Sequence, residues 1–191
     1  ASTIGGALTA TAGGTITLSG NLTASGAGDA ITLSGARFDN SAAAALSTPN
    51  GRWLVWSSNP SPFSGATPDV RGGLAYGFKQ YNAIYGTTTV LGSGNGFLYS
   101  LAPAITPGLT GTTSKVYDGN TTATLTAGNF TATGAIDGDT VVLNATGATY
   151  DNKNVGTGKT VTATGITASA SNGTAAVYGY TVLPDSASGA I

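Results

Sequence analysis

Ile16-Thr17-Leu18-Ser19-Gly20 returns as Ile31-Thr32-Leu33-Ser34-Gly35. Each copy sets Ile and Leu on one side of an extended chain and Thr and Ser on the other, the two-residue period of a half-buried strand. Each copy also ends on Gly, which interrupts a strand. Outward from this pair, Ala7-Leu8 and Leu22 read as further short strands between Gly-rich corners. Short apolar strands punctuated by Gly, Asn and Asp at near-regular intervals suit a parallel β-helix, in which each rung stacks on the next. A β-sandwich with a coincidental repeat is the competing reading of residues 1 to about 58.

Composition points the same way. Charged residues make up only 8% of the 191, so Thr, Ser, Ala and Gly occupy positions that Lys and Glu usually fill. Every acid is Asp, a turn former. No apolar run reaches the ~18 residues of a spanning helix, and none keeps a helical spacing. The fold class expected is all-β. A net charge of -1 with seven scattered basic residues offers no nucleic-acid footprint. Cys and Met are absent, which excludes disulfides and thiol chemistry. Ala1 reads as a processed or excised start, with no signal peptide before it.

Residues 59 to 108 differ from what precedes. Pro60, Pro62, Pro68, Pro103 and Pro107 are interleaved with Phe63, Tyr76, Phe78, Tyr81, Tyr85, Phe97 and Tyr99, and Trp53 and Trp56 stand just before them. Bulky apolar material of this kind suits a cap over the open end of a solenoid. The same rings are candidates for stacking on sugars, with Trp53, Trp56 and Tyr81 as the glycan contacts. Gly92-Ser93-Gly94-Asn95-Gly96 is a loop without the strand and helix that a nucleotide motif needs.

From about residue 110 the chain reads as a compact antiparallel unit. Lys115–Tyr117 is expected as a strand, and Asp118-Gly119 as a hairpin turn with Gly119 at positive φ and Tyr117 buried beside it. Strands follow at Thr122–Leu125, Phe130–Thr133 and Thr140–Leu143. Tyr150 leads into a turn at Asp151-Asn152-Lys153-Asn154. Lys159–Ile166 and a last strand follow, the last placing Tyr178, Tyr180 and Val182 on one face. Six or seven strands in this length suit a small Ig-like sandwich without its Cys pair. The domains expected are 1–108 and 109–191, with a junction between Ala104 and Thr113.

Lys115-Val116-Tyr117-Asp118-Gly119-Asn120-Thr121-Thr122, Gly138-Asp139-Thr140-Val141, and Tyr150-Asp151-Asn152-Lys153-Asn154-Val155-Gly156 with Lys159-Thr160-Val161 resemble the YDG repeat. That repeat is a small β-sandwich of bacterial surface exoproteins. Gly51-Arg52-Trp53-Leu54-Val55-Trp56-Ser57, Gly77-Phe78-Lys79-Gln80-Tyr81-Asn82-Ala83 and Gly94-Asn95-Gly96-Phe97-Leu98-Tyr99 resemble the end of the shaft in filamentous-haemagglutinin-like proteins, which leave the cell by two-partner secretion. The resemblance implies a right-handed parallel β-helix, extracellular or cell-surface display, and adhesive or biofilm roles. It carries over no catalytic residue; Tyr117, Asp118 and Gly119 match the signature as a structural turn.

Without His or Cys, neither a Ser–His–Asp nor a Cys–His arrangement can be built. A glycosidase pair such as Asp39 with Asp69 has nothing in the sequence to bring it together. No cofactor is implied. Calcium is the ion that Asp137, Asp139, Asp151 and Asn152 would serve if they converged, although Asp-Gly-Asp and Asp-Asn are equally turn formers. The leading reading is a non-catalytic, structural and adhesive surface module, meeting a host or bacterial surface glycan or protein. The alternatives are a self-assembling filament subunit, joined through the N-terminal β edge, and a glycan-binding module built on the aromatics of residues 53–99.

Overall fold

The computed structural model describes residues 1–60 and 67–191; Pro62 and Phe63 lie outside the described residues. The chain is all-β. Its strands are β1 (Ser2–Ile4), β2 (Leu8–Thr11), β3 (Thr15–Thr17), β4 (Leu22–Ala24), β5 (Gly28–Ser34), β6 (Arg37–Asp39), β7 (Leu46–Ser47), β8 (Gly51–Ser57), β9 (Phe78–Gln80) and β10 (Gly96–Tyr99). There follow β11 (Ala104–Leu109), β12 (Phe130–Thr133), β13 (Thr140–Tyr150), β14 (Thr160–Asn172), β15 (Ala175–Tyr178), β16 (Thr181–Val182) and β17 (Ser186–Ala190). No helix among the described residues is long and apolar enough to cross a membrane. Two compact units form: Ala1–Ala102 with Ser171–Gly179, and Pro103–Ala170 with Tyr180–Ile191. β11 belongs to the second of these.

In the first unit, successive passes of the chain feed three parallel ladders in rotation. One ladder is β1-β4-β7, a second begins β2-β5-β8, and the third is β3-β6, extended by a bridge from Asp39 to Val70. Leu8, Ile31 and Trp53 share one register position and Leu33 faces Val55, so like sits on like from pass to pass. The Ile-Thr-Leu-Ser-Gly repeat does not mark this step. Ile16 stands on β3 against Phe38, whereas Ile31 stands on β5, in another ladder. A two-residue alternation satisfies any of the three faces, so it announces strands without giving the length of a pass.

The second ladder continues through β10, β9 and β15, all parallel. Val55, Phe97, Lys79 and Val177 lie in one row across it, and Leu54, Gly96, Phe78 and Ala176 in the neighbouring row. Of the aromatics expected as a cap, Trp53, Trp56, Phe78, Tyr81, Phe97 and Tyr99 are buried inside the first unit, whereas Tyr85 is exposed. Phe97 meets Trp53 edge-on at 5.1 Å and Tyr76 at 5.3 Å, and it stacks along Tyr99 at 6.3 Å. On the opposite face Leu54, Trp56, Phe78, Ala83 and Leu98 form a second cluster. Each large side chain buried this way stabilises the fold by about 1.5–3 kcal/mol. Phe78 fits only because Gly92 and Gly96 flank its ring, where a Cβ on either would overlap it.

The second unit has the three-stranded sheet β12-β11-β16, and in it β14 pairs with both β13 and β17. β11 runs antiparallel to β12 and parallel to β16, and β14 runs antiparallel to β17. Ile105, Leu143, Ala163 and Ile166 form the buried core, with Leu109, Phe130, Val141 and Val182 packed against it. Four sequence expectations fail here. Lys115–Tyr117 is not a strand, and of Thr122–Leu125 only Thr122 pairs, in a bridge to Thr149. Tyr117 is 61% exposed, not buried. Tyr178 and Tyr180 do not share a strand: Gly179, at φ 88°, separates β15 in the first unit from β16 in the second.

Candidate functional site

The signature residues of the second unit build two polar knots. In the first, the Lys115 ammonium donates to Asp118 at 2.8 Å and to the Asn120 side-chain oxygen at 2.6 Å. It also donates to the Asn120 carbonyl at 3.0 Å and lies 5.9 Å from the centre of the Tyr150 ring. Asp118 accepts the Asn120 amide at 3.1 Å, and Asn120 accepts the Thr122 amide at 2.9 Å, so the turn closes on its own side chains. The Lys115 hydrogen bond, aided by the Asn120 amide, holds the Asp118 carboxyl below its ordinary range. Gly119 takes φ 76°, as the Asp-Gly pair requires.

The second knot repeats the chemistry. The Lys159 ammonium donates to the Asn154 carbonyl at 2.8 Å and to the Asn152 side chain, and lies 3.4 Å from Asp151. Asn154 in turn donates its amide to Asn152 at 3.0 Å. Between the two knots lies a cavity of about 360 Å³, walled by Thr112–Lys115, Tyr117, Asn120 and Tyr150 on one side and by residues 152–159 on the other, with Ile191 also in the lining. A spacing rule finds the turns, since Asp-Gly and Asp-Asn signal them. It does not find the cavity, which comes from two loops distant in sequence.

The sugar contacts expected in the first unit are not accessible. Trp53 and Tyr81 are 1% exposed and Trp56 6%, so their rings serve the core and present no face to a ligand. Arg71 stands among Tyr76, Phe97 and Tyr99, about 5.3–5.7 Å from each ring centre, and donates to the Tyr99 hydroxyl at 3.0 Å. Asp39 and Asp69 have structural duties. Asp39 pairs with Arg37 at 2.9 Å and accepts from Ser41, whose hydroxyl above all lowers its pKa. Asp69 accepts the Phe38 amide at 2.8 Å and the Ser57 hydroxyl at 2.6 Å, while burial raises its pKa against those bonds.

The candidate calcium ligands do not converge. Asp137 turns the chain at φ 54°, Asp139 accepts the Tyr180 hydroxyl at 2.9 Å, and Asp151 and Asn152 hold Lys159. Among the described residues no three acidic side chains gather at one point.

Residues 102–188 match the family model of the YDG domain. No curated protein and no solved structure matches the chain.

Proposed function

We propose that the chain is a non-catalytic, secreted bacterial surface module with a structural and adhesive role. In this reading the first unit is the end of a right-handed parallel β-helix, of the kind carried by filamentous-haemagglutinin-like exoproteins. The second is a small β-sandwich of YDG type that spaces or presents it at the cell surface. The observation that carries the reading is the rotation of successive chain passes through three parallel ladders, joined in one chain to a YDG match. Such stacking makes a rod whose length grows with each pass, which suits reach more than chemistry. Beads coated with the chain are expected to adhere to cells or to biofilm matrix above beads coated with an inert carrier. Equal adhesion of both would reject the adhesive role.

A second reading, a self-assembling filament subunit, rests on β1, β2 and β3. Each is paired on one side only among the described residues, with β4, β5 and β6 respectively. Unpaired strand edges invite further strands.

A further inference from the structure

The cavity between the two knots holds groups that the fold does not use. Lys115 and Lys159 are committed to Asp118, Asp151 and neighbouring Asn oxygens. Tyr117, at the cavity wall, is 61% exposed, and among the described residues it makes no side-chain hydrogen bond or ring contact. Lys153 lines the same cavity and has no ion pair or hydrogen bond among the described residues. The hydroxyls of Ser114 and Thr157 are likewise unengaged there.

An aromatic body with a polar tip, hydroxyls on both walls and one uncompensated ammonium define a narrow ligand chemistry. The exposed tyrosine face suits the apolar face of a sugar ring, and hydroxyls suit its polar edge. The volume lies at the small end of ligand sites, of the order of 300–1,000 Å³. A phosphate group asks for several free cations or an arginine fork. Here two of the three lysines are already neutralised, and no arginine lines the wall. A single carboxylate matches the single free charge.

We propose that this cavity is a saccharide-binding site for a sugar unit carrying a carboxylate, in which Tyr117 stacks on the ring and Lys153 pairs with the acid. The assignment rests on the second unit alone and stands whether or not the module is adhesive. It accounts for a solvent-exposed tyrosine in a position where the core has no use for the ring.

The test is an amide NMR titration of the full chain with glucuronate, with glucose and with acetate at matched ionic strength. Glucuronate is expected to give saturable shifts at Gly156, Thr157 and Gly158, with weaker shifts from glucose. Tyr117→Ala should weaken both sugars about tenfold, a stacking-sized loss. Lys153→Gln should weaken glucuronate about threefold, toward the glucose level, and leave glucose unchanged. Both side chains are exposed, so unshifted resonances of the first unit verify that the variants are folded. Three results would overturn the site: no saturable shift with either sugar, glucuronate binding indifferent to Tyr117→Ala, or acetate reproducing the whole response.

Discussion

Gly119 and Asp69 show how much one residue can be asked to do. Gly119 holds φ 76° with no neighbour within 4 Å of where a Cβ would stand, so a substitution there meets strain and not a clash. Gly119→Val should cost about 1–3 kcal/mol, read as a lowered urea midpoint; an unmoved midpoint would contradict the turn. Asp69 caps the Phe38 amide and the Ser57 hydroxyl from a site that burial makes unfavourable for charge. Its folded pKa is raised above the ordinary 3.8. Its titration therefore adds stability that is full below pH 3.8 and fades as pH rises through the folded value. Relative to Asp69→Asn, the wild type should lose stability over that rise. Asp118 has the opposite sign, since its pKa is lowered: stability is present above pH 3.8 and disappears as pH falls through the folded value. Chemical melts across pH 2–7 (roughly the span over which carboxylates titrate) check both signs. A pH-independent difference between wild type and Asp69→Asn would remove the burial argument.

At the level of strands, glycines decide which rings can enter the core. Gly92 and Gly96 bracket Phe78, so Gly92→Ala pushes a methyl into the ring and should destabilise by about 1–3 kcal/mol. Gly13→Ala, with open space around its Cβ, should change stability by less than about 0.5 kcal/mol. Thermal melts of the two variants test the contrast, and equal shifts would mean that Phe78 is not held as described. Local sequence sets where strands form more than it sets which strands pair. The strands expected around Ala7-Leu8 and Leu22 and at Phe130–Thr133 and Lys159–Ile166 rest on local pattern, and strands formed at Leu8–Thr11, Leu22–Ala24, Phe130–Thr133 and Thr160–Asn172. Lys115–Tyr117 alternates too, yet Lys115 is drawn to Asp118 and Asn120, and the segment stays irregular with Tyr117 outside. Trp53, Trp56, Phe78, Tyr81, Phe97 and Tyr99 were legible as a group but not as core. Their burial depends on β10 entering between β8 and β9, a long-range pairing that no local pattern encodes. The cavity was hidden for the same reason, although the two turns that wall it were visible as Asp-Gly and Asp-Asn.

Across the whole molecule, low charge and open edges set behaviour in solution. β1, β2 and β3 each expose one unpaired edge among the described residues, and the first charged side chain after the N-terminus is Asp29. Among the described residues no charged side chain lies on β1, β2 or β3, whereas natural edges usually carry Lys or Pro. Light scattering over a concentration series should show association that the pair Ile4→Lys and Leu8→Lys abolishes. A strictly monomeric wild-type chain would end that expectation. The long ladder also takes in a strand from far along the chain: Lys79 is registered with Val177, and Ser171–Gly179 belongs to the first unit. A polypeptide leaving a ribosome at 5–20 residues per second would make Gln80 wait roughly 5–20 s for Tyr178. Throughout that interval Phe78 and its neighbours lack their final partner. The first unit is thus begun early and finished late, and a chaperone that holds extended chain has its natural window there.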